Sequence, residues 1–249
     1  MATQYFGQRI KRNEDPRLLT GQALFVDDVN LPGMLHVAFL RSPYAHARIR
    51  SVDCRPALAR SGVAAAYAAQ DLGGYWRRGP LLVSPPPIEG IVFNERTQPI
   101  LARDKVRHQG EPVAAVVAES RYLAEDALGD IQVDYEPLPA AVGLEQALEP
   151  GAPLVHEDLG SNLAAHAIQR RGDYDRARRE ASVVLRRRLL YDHGAAAALE
   201  NRGIVAQWDR RAQRLTMWDT TQAPIPIRNG VAGMLGLAEH QVRVIAPFI

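Results

Sequence analysis

Between Lys105 and Leu138 the chain reads KVRHQGEPVAAVVAESRYLAEDALGDIQVDYEPL, and this run leaves little choice of local structure. Pro112 to Ala118 is apolar and valine-rich with no interior glycine or proline, the pattern of a buried strand. Ser120 can cap a helix, and Leu123, Ala124, Ala127 and Leu128 share one face at helical spacing. Gly129 ends the helix. Ile131 to Tyr135 is a second strand, stopped by Glu136-Pro137-Leu138-Pro139 because proline has no N–H for a sheet ladder. A strand, helix, strand unit of this size is either a nucleotide cradle or a scaffold. The turn after its first strand is Glu119-Ser120-Arg121, and the chain contains neither G-x-x-x-x-G-K-[ST] nor G-x-G-x-x-G. Without glycines a backbone cannot wrap phosphate closely, so the scaffold reading is favoured.

Composition narrows the classes further. The 249 residues allow one large domain or two modest ones, and 47% hydrophobic with 23% charged residues is ordinary globular usage. A net charge of +2 gives no case for nucleic acid. Lysine occurs only at Lys11 and Lys105, so the positive charge is carried by arginine. Cys54 is the single cysteine, which excludes an internal disulfide and any cysteine-based zinc or iron–sulfur site within this chain. The first residues have no apolar leader core and no apolar run approaches a membrane span; a cytoplasmic protein is expected.

In chain order, residues 1–16 are a polar arm. Leu24 to Val26 is a short strand candidate, Asp27-Asp28 and Leu31 to Met34 have turn chemistry, and Leu35 to Leu40 and Ala47 to Val52 are strands. Pro56 to Tyr67 holds a short helix and then a strand, and Gly73 to Glu89, with Pro85-Pro86-Pro87, is loop. Residues 17–138 form a first domain; residues 139–160, rich in proline and glycine, form a linker; residues 161–249 begin a second domain. There Leu163 to Gln169 and Ala181 to Leu190 are extended, with a short helix from Gly172 between them. Ile204 to Trp208 and Leu215 to Asp219 are a hairpin about the charged turn Asp209 to Arg214. Pro224 to Leu235 is a helix ended by Gly236, and Gln241 to Ile245 is a last strand.

Generic catalytic motifs are missing. His36, His46, His108, His156, His166, His193 and His240 form no H-x-x-x-H pair, and there is no G-x-S-x-G elbow. Arg170-Arg171 and Arg186-Arg187-Arg188 would point to alternate faces of a strand, which favours a solvated or interface role over an anion patch. Trp208 and Trp218, in facing strands, are expected in the core.

A series of spaced signatures carries more information. Arg17-Leu18-Leu19-Thr20-Gly21 with Phe25 to Asp28 comes first, then Arg41-Ser42-Pro43-Tyr44-Ala45-His46-Ala47-Arg48-Ile49, then the Lys105–Leu138 run. Gly172-Asp173-Tyr174 with Ala181 to Val184 comes next. The last signature is Leu199-Glu200-Asn201-Arg202-Gly203, with Thr220-Thr221-Gln222-Ala223-Pro224 and Val242 to Pro247. In order and spacing these resemble the N-terminal part of the large, molybdenum-binding subunit of the xanthine dehydrogenase, aldehyde oxidase and aerobic carbon monoxide dehydrogenase family.

The resemblance implies an α+β fold: an α/β-hammerhead domain followed by the first part of a molybdopterin-binding domain. It implies oxidation of an aldehyde, an N-heterocycle or carbon monoxide at a molybdenum–pterin centre, with electrons leaving through [2Fe-2S] clusters and FAD on partner subunits. Gln222 matches the family glutamine that hydrogen-bonds the molybdenum oxo ligand, a role suited to a neutral amide that donates without titrating. Members usually read Pro-Met-Glu-Pro-Arg-Gly where this chain has Ala198 to Gly203, so both prolines are missing while Glu200 and Arg202 remain. The family's GGGFG loop and its glutamate base are expected on a companion C-terminal portion, so no complete catalytic set is expected within these residues. A non-catalytic assembly module, an inactive relic of the family and an unrelated nucleotide-binding protein are the alternatives.

Overall fold

A computed structural model describes residues 6–81, 90–191, 194 and 197–248. His193 and the Pro85-Pro86-Pro87 run lie outside the described residues, as does the start of the N-terminal arm. The chain divides into two compact units, one of Leu35–Ala197 and one of Met1–Met34 with Ala198–Ile249.

Two short helices mark the ends of the first connections: α1 (Asp15–Leu19), which comes after the arm, and α2 (Arg55–Leu58). The Leu35–Ala197 unit is built on two three-stranded antiparallel sheets. Strand β1 (His36–Arg41), β2 (Ala47–Asp53) and β3 (Val63–Ala68) come first, then β4 (Val92–Phe93), β5 (Lys105–Val106), β6 (Pro112–Ala118) and β7 (Gln132–Pro137). One sheet has the order β1-β6-β3, the other β5-β2-β7, and β4 pairs with β8 (Ala165–His166). Strand β6 is buried along nearly its whole length because it is central in its sheet and lies between two apolar layers. Val113 packs with Ala47, Ile49 and Val106 of the other sheet, while Ala114 and Val116 pack with Ala57, Ala127 and Ile131.

Helix α3 (Arg121–Ala127) starts as expected: the Ser120 hydroxyl accepts from the Leu123 amide at 3.2 Å, and Ala124 and Ala127 are buried. The unit it belongs to is not a parallel crossover, however. Both edges of β6 are taken by antiparallel partners, β1 and β3, so β7 has no place beside it and pairs with β2 instead. The Lys105–Leu138 run therefore ties two sheets together.

Further along, α4 (Tyr174–Glu180) is capped by Asp173, whose carboxylate accepts from the Arg176 amide at 2.9 Å. The flanking stretches expected to be strands are not: only Ala165–His166 pairs, and residues 181–191 are irregular and exposed. Their would-be ladder has no partner strand among the described residues.

In the second unit β9 (Ile204–Asp209) and β10 (Arg214–Asp219) form the expected hairpin, with Leu215 opposite Trp208 and Trp218 opposite Val205. Helix α5 (Pro224–Leu235) comes next, ended by Gly236 at φ 67°, and β11 (Val242–Ile245) returns parallel to β10. The β10–α5–β11 segment is thus the parallel crossover that the sequence suggested earlier in the chain. Leu215 and Met217 of β10, Ala232 of α5 and Val242 of β11 form its core. Trp208 is not core: it is 41% exposed, because β9 is an edge strand with most of its side chains in solvent. The Leu24–Val26 strand candidate is instead coil running into a single turn at Val26–Asp28, in which the Asp28 carboxylate accepts from the Phe25 amide at 2.9 Å. This turn packs within the same unit: Val26 is buried, and a Cβ on Gly203 would lie 3.2 Å from its Cγ1.

Candidate functional site

Strands β10 and β11 are parallel, so their carboxyl ends open on the same edge of the sheet, the edge where α/β folds hold ligands. Gln222 is placed on the short connection leaving β10 at that edge, between Asp219 and the first turn of α5. Local hydrogen bonds fix this connection on both sides. The Gly203 amide donates to the Thr220 hydroxyl at 2.9 Å, the Thr220 amide donates to the Gly203 carbonyl at 3.2 Å, and the Thr221 amide donates to the Asp219 carbonyl at 2.8 Å. The Thr221 hydroxyl accepts from the Ala223 amide at 3.0 Å. With its neighbours pinned, Gln222 is exposed, and among the described residues its amide group has no hydrogen-bond partner. A neutral donor is held outward.

The helix behind it offers few donors of its own. Pro224 and Pro226 occupy two of the first three helical positions and have no N–H, and the Ile227 amide already bonds the Ala223 carbonyl at 3.2 Å. Among the described residues the carboxamide of Gln222 and the Ile225 amide have no acceptor, and a helix start with two prolines in its first three positions is a poor phosphate cradle. Asp219 closes the inner side. It continues the buried face of Leu215 and Met217, and burial pushes its carboxyl above the usual carboxylate range.

Glu200 and Arg202 fall nearby in sequence and have different fates. The Glu200 carboxylate accepts from the Val26 amide at 3.3 Å, latching the stretch before β9 onto the Val26–Asp28 turn. Arg202 is exposed. The entry to β9 is therefore held without the two family prolines, by this carboxylate and by the Gly203–Thr220 pair. Sequence reasoning named Gln222 but missed Thr220 and Thr221; their hydroxyls preceding a proline-initiated helix were the available signal.

The remaining candidates belong to the Leu35–Ala197 unit and are described within it. A cleft of about 890 Å³ in the Leu35–Ala197 unit includes Asp53, Cys54, Arg55, Asp71 and Asp134. Burial, with Asp71 and Asp53 adding to it, pushes the Cys54 thiol in this cleft up to about 11, which disfavours the thiolate. His46 serves the fold, its Nδ1 lying 2.6 Å from the Pro139 carbonyl two residues beyond β7. Among the described residues no group of three His, Cys, Asp or Glu side chains could hold a metal ion. No helix among the described residues is long and apolar enough to cross a membrane.

Comparison with known proteins gives this edge a context. Residues 20–139 match the a/b hammerhead domain of aldehyde oxidase and xanthine dehydrogenase, and residues 155–249 match the molybdopterin cofactor-binding domain. The chain is 40% identical to the carbon monoxide dehydrogenase large chain of Afipia carboxidovorans, over 99% of this chain and 31% of that one. It is 35% identical to the nicotine 6-hydroxylase large subunit of Paenarthrobacter nicotinovorans, over 97% of this chain and 29% of the relative. The crystal structure of quinoline 2-oxidoreductase from Pseudomonas putida 86 superposes with a TM-score of 0.88 at 39% identity, covering 98% of this chain and 30% of that one. The chain thus spans about a third of the length of these relatives. With both domain models in sequence order and the fold shared, the chain belongs to the xanthine dehydrogenase, aldehyde oxidase and carbon monoxide dehydrogenase family and corresponds to the N-terminal part of its large subunit.

Proposed function

We propose that this chain is a component of a molybdenum hydroxylase, with residues 17–138 as scaffold and residues 161–249 supplying part of the molybdopterin pocket. The observation that carries the reading is the exposed carboxamide of Gln222, without a partner among the described residues, at the carboxyl edge of the parallel β10–β11 pair inside the stretch matched to the cofactor-binding domain. Gln222 donates to an oxygen of the cofactor and orients it; Thr220 and Thr221 keep that donor aimed; Asp219 stays buried behind them. When bound, the molybdenum–pterin centre supplies two-electron oxidation chemistry, and the chain's own residues supply position and hydrogen bonding. The companion portion of the large subunit brings the glycine-rich loop and the base. An iron–sulfur subunit and an FAD subunit accept the electrons, and the substrate is a small molecule. The assembly is cytoplasmic.

The test is co-expression of the chain with the remaining C-terminal portion of the Afipia large chain, followed by purification and metal analysis. The reading expects a complex that retains molybdenum; absence of both complex and metal would sink it. In an active complex Gln222→Ala should lower kcat about 10- to 100-fold with molybdenum content kept. A variant indistinguishable from the parent in rate would instead make the chain a non-catalytic assembly module.

A further inference from the structure

The Val26–Asp28 turn is remote in sequence from the β9–β10–β11 sheet, and residues 20–139 match the hammerhead domain, yet Met1–Met34 packs in one compact unit with Ala198–Ile249. Three contacts fasten the turn to that sheet. The Phe248 amide, beyond the end of β11, donates to the Leu24 carbonyl at 3.1 Å. The Val26 amide donates to the Glu200 carboxylate, ahead of β9, at 3.3 Å. The Val26 side chain, 3% exposed, lies so close to Gly203 that a Cβ there would be 3.2 Å from its Cγ1. In the order β11-β10-β9, β10 is central, parallel to β11 and antiparallel to β9. The entry of β9 therefore shares an edge with the exits of β10 and β11. The turn is tied to the chain on both flanks of the β10 exit, which is where Gln222 follows.

What Glu200 holds reaches Gln222 through one pair of residues. Gly203 and Thr220 extend the β9–β10 ladder by one step beyond Ile204 and Asp219. The Thr220 amide donates to the Gly203 carbonyl, but the Gly203 amide takes the Thr220 hydroxyl as its acceptor. The main chain of β10 leaves the ladder here, two residues before Gln222. The position of Gly203 thus sets the direction of departure. Gly203 has no side chain with which to anchor itself, and Leu199, Asn201 and Arg202 ahead of it are exposed. Glu200 is the half-buried residue of this stretch, and its carboxylate reaches the turn.

We propose that Glu200 is a positioning residue for Gln222. By fastening the β9 entry to the Val26 amide it fixes, through the Gly203–Thr220 pair, where the Gln222 connection lies. This rests on the reading of Gln222 as a donor to the cofactor and adds the residue that aims it. The Val26 amide requires an acceptor oxygen and not a charge, so glutamine serves at position 200 and alanine does not.

The first arm is hydrogen exchange on the full 249-residue chain, which needs no cofactor. Glu200→Ala speeds exchange of the Gly203 and Thr220 amides at least about tenfold, and Glu200→Gln leaves them within about twofold of the parent. Unchanged exchange in Glu200→Ala would overturn the proposal. The second arm uses the complex with the remaining portion of the Afipia large chain. There Glu200→Ala lowers kcat about tenfold with KM and molybdenum content kept, and Glu200→Gln restores the rate. A rate loss matched by lost molybdenum would make Glu200 a purely structural residue and overturn the proposal. In a Gln222→Ala background Glu200→Ala has no further effect on kcat, because the group it aims is gone; an equal further loss there would overturn the coupling. Thr220→Val leaves the latch intact and removes the hydroxyl, so it lowers kcat as Glu200→Ala does; a parental rate would break the proposed route. If Gln222→Ala slows the enzyme and Glu200→Ala does not, the positioning role fails and the reading of Gln222 stands. If Gln222→Ala is silent, both fall.

Discussion

Lys105 is 8% exposed, and its ammonium meets the Glu157 carboxylate, which that contact holds below the usual glutamate range. Glu157 itself is 59% exposed at the side chain, so the pair is half-wet and its loss is moderate. Glu157→Gln leaves a buried cation with a neutral partner and should cost about 1–2 kcal/mol, measured by urea unfolding. Asp219 works in the other direction. Its carboxyl is raised in the folded chain by burial, so the folded state binds more protons than the unfolded one and stability falls as pH rises between the two pKa values. The penalty is complete only above both pKa values. Asp219→Asn should therefore raise the melting temperature by about 1–3 °C at pH 7 and give no gain below the ordinary aspartate range. A gain that grows on acidification would contradict the sign. At this scale the sequence showed which residue types were unusual, but not that a strand-end aspartate would continue a buried face.

At the scale of elements, the connections were the most legible part of the chain. The Ser120 cap, the Gly236 stop and the hairpin turn at Asp209–Arg214 all form, because caps and turns depend on side chains within a few residues. Pairing was less legible. The alternation of β2 gives way between Ile49 and Ser51, where its register against β7 shifts, and nothing in the residues themselves announces the bulge. Gly62 is a comparable case. Its φ is +82°, and a Cβ there would come within 2.7 Å of Leu123 Cδ1, so it carries both the turn into β3 and the approach of α3. Gly62→Ala should destabilise by about 1–3 kcal/mol in chemical denaturation, with α3 amides losing exchange protection first. An effect within a few tenths would show that Leu123 swings aside freely.

For the whole molecule, the exposure of one arginine-rich stretch makes a direct expectation about proteolysis. Residues 164–191 are exposed and carry Arg170, Arg171, Arg178, Arg179 and Arg186 to Arg188, whereas Arg48, Arg50 and Arg60 sit on paired strands or beside helix ends with acidic partners. Brief trypsin treatment should cut first within 164–191 and leave a fragment holding both antiparallel sheets, identified by mass spectrometry; early cuts within β2 or α3 would contradict it. The sequence alone determined the α+β class, the family through its spaced signatures, and the segments able to be strand or helix, since these are local properties of apolar period, proline and glycine. It also singled out Gln222 as the residue to place. Only the tertiary structure decided that β6 and β7 enter different sheets, that the parallel crossover is β10–α5–β11, and that Val26 meets Glu200 and Gly203 across some 174 residues of chain. Those outcomes depend on which edges are already occupied and which faces find a partner. The same physics leaves residues 181–191 bare: a sequence can specify a strand, but only another strand can complete it.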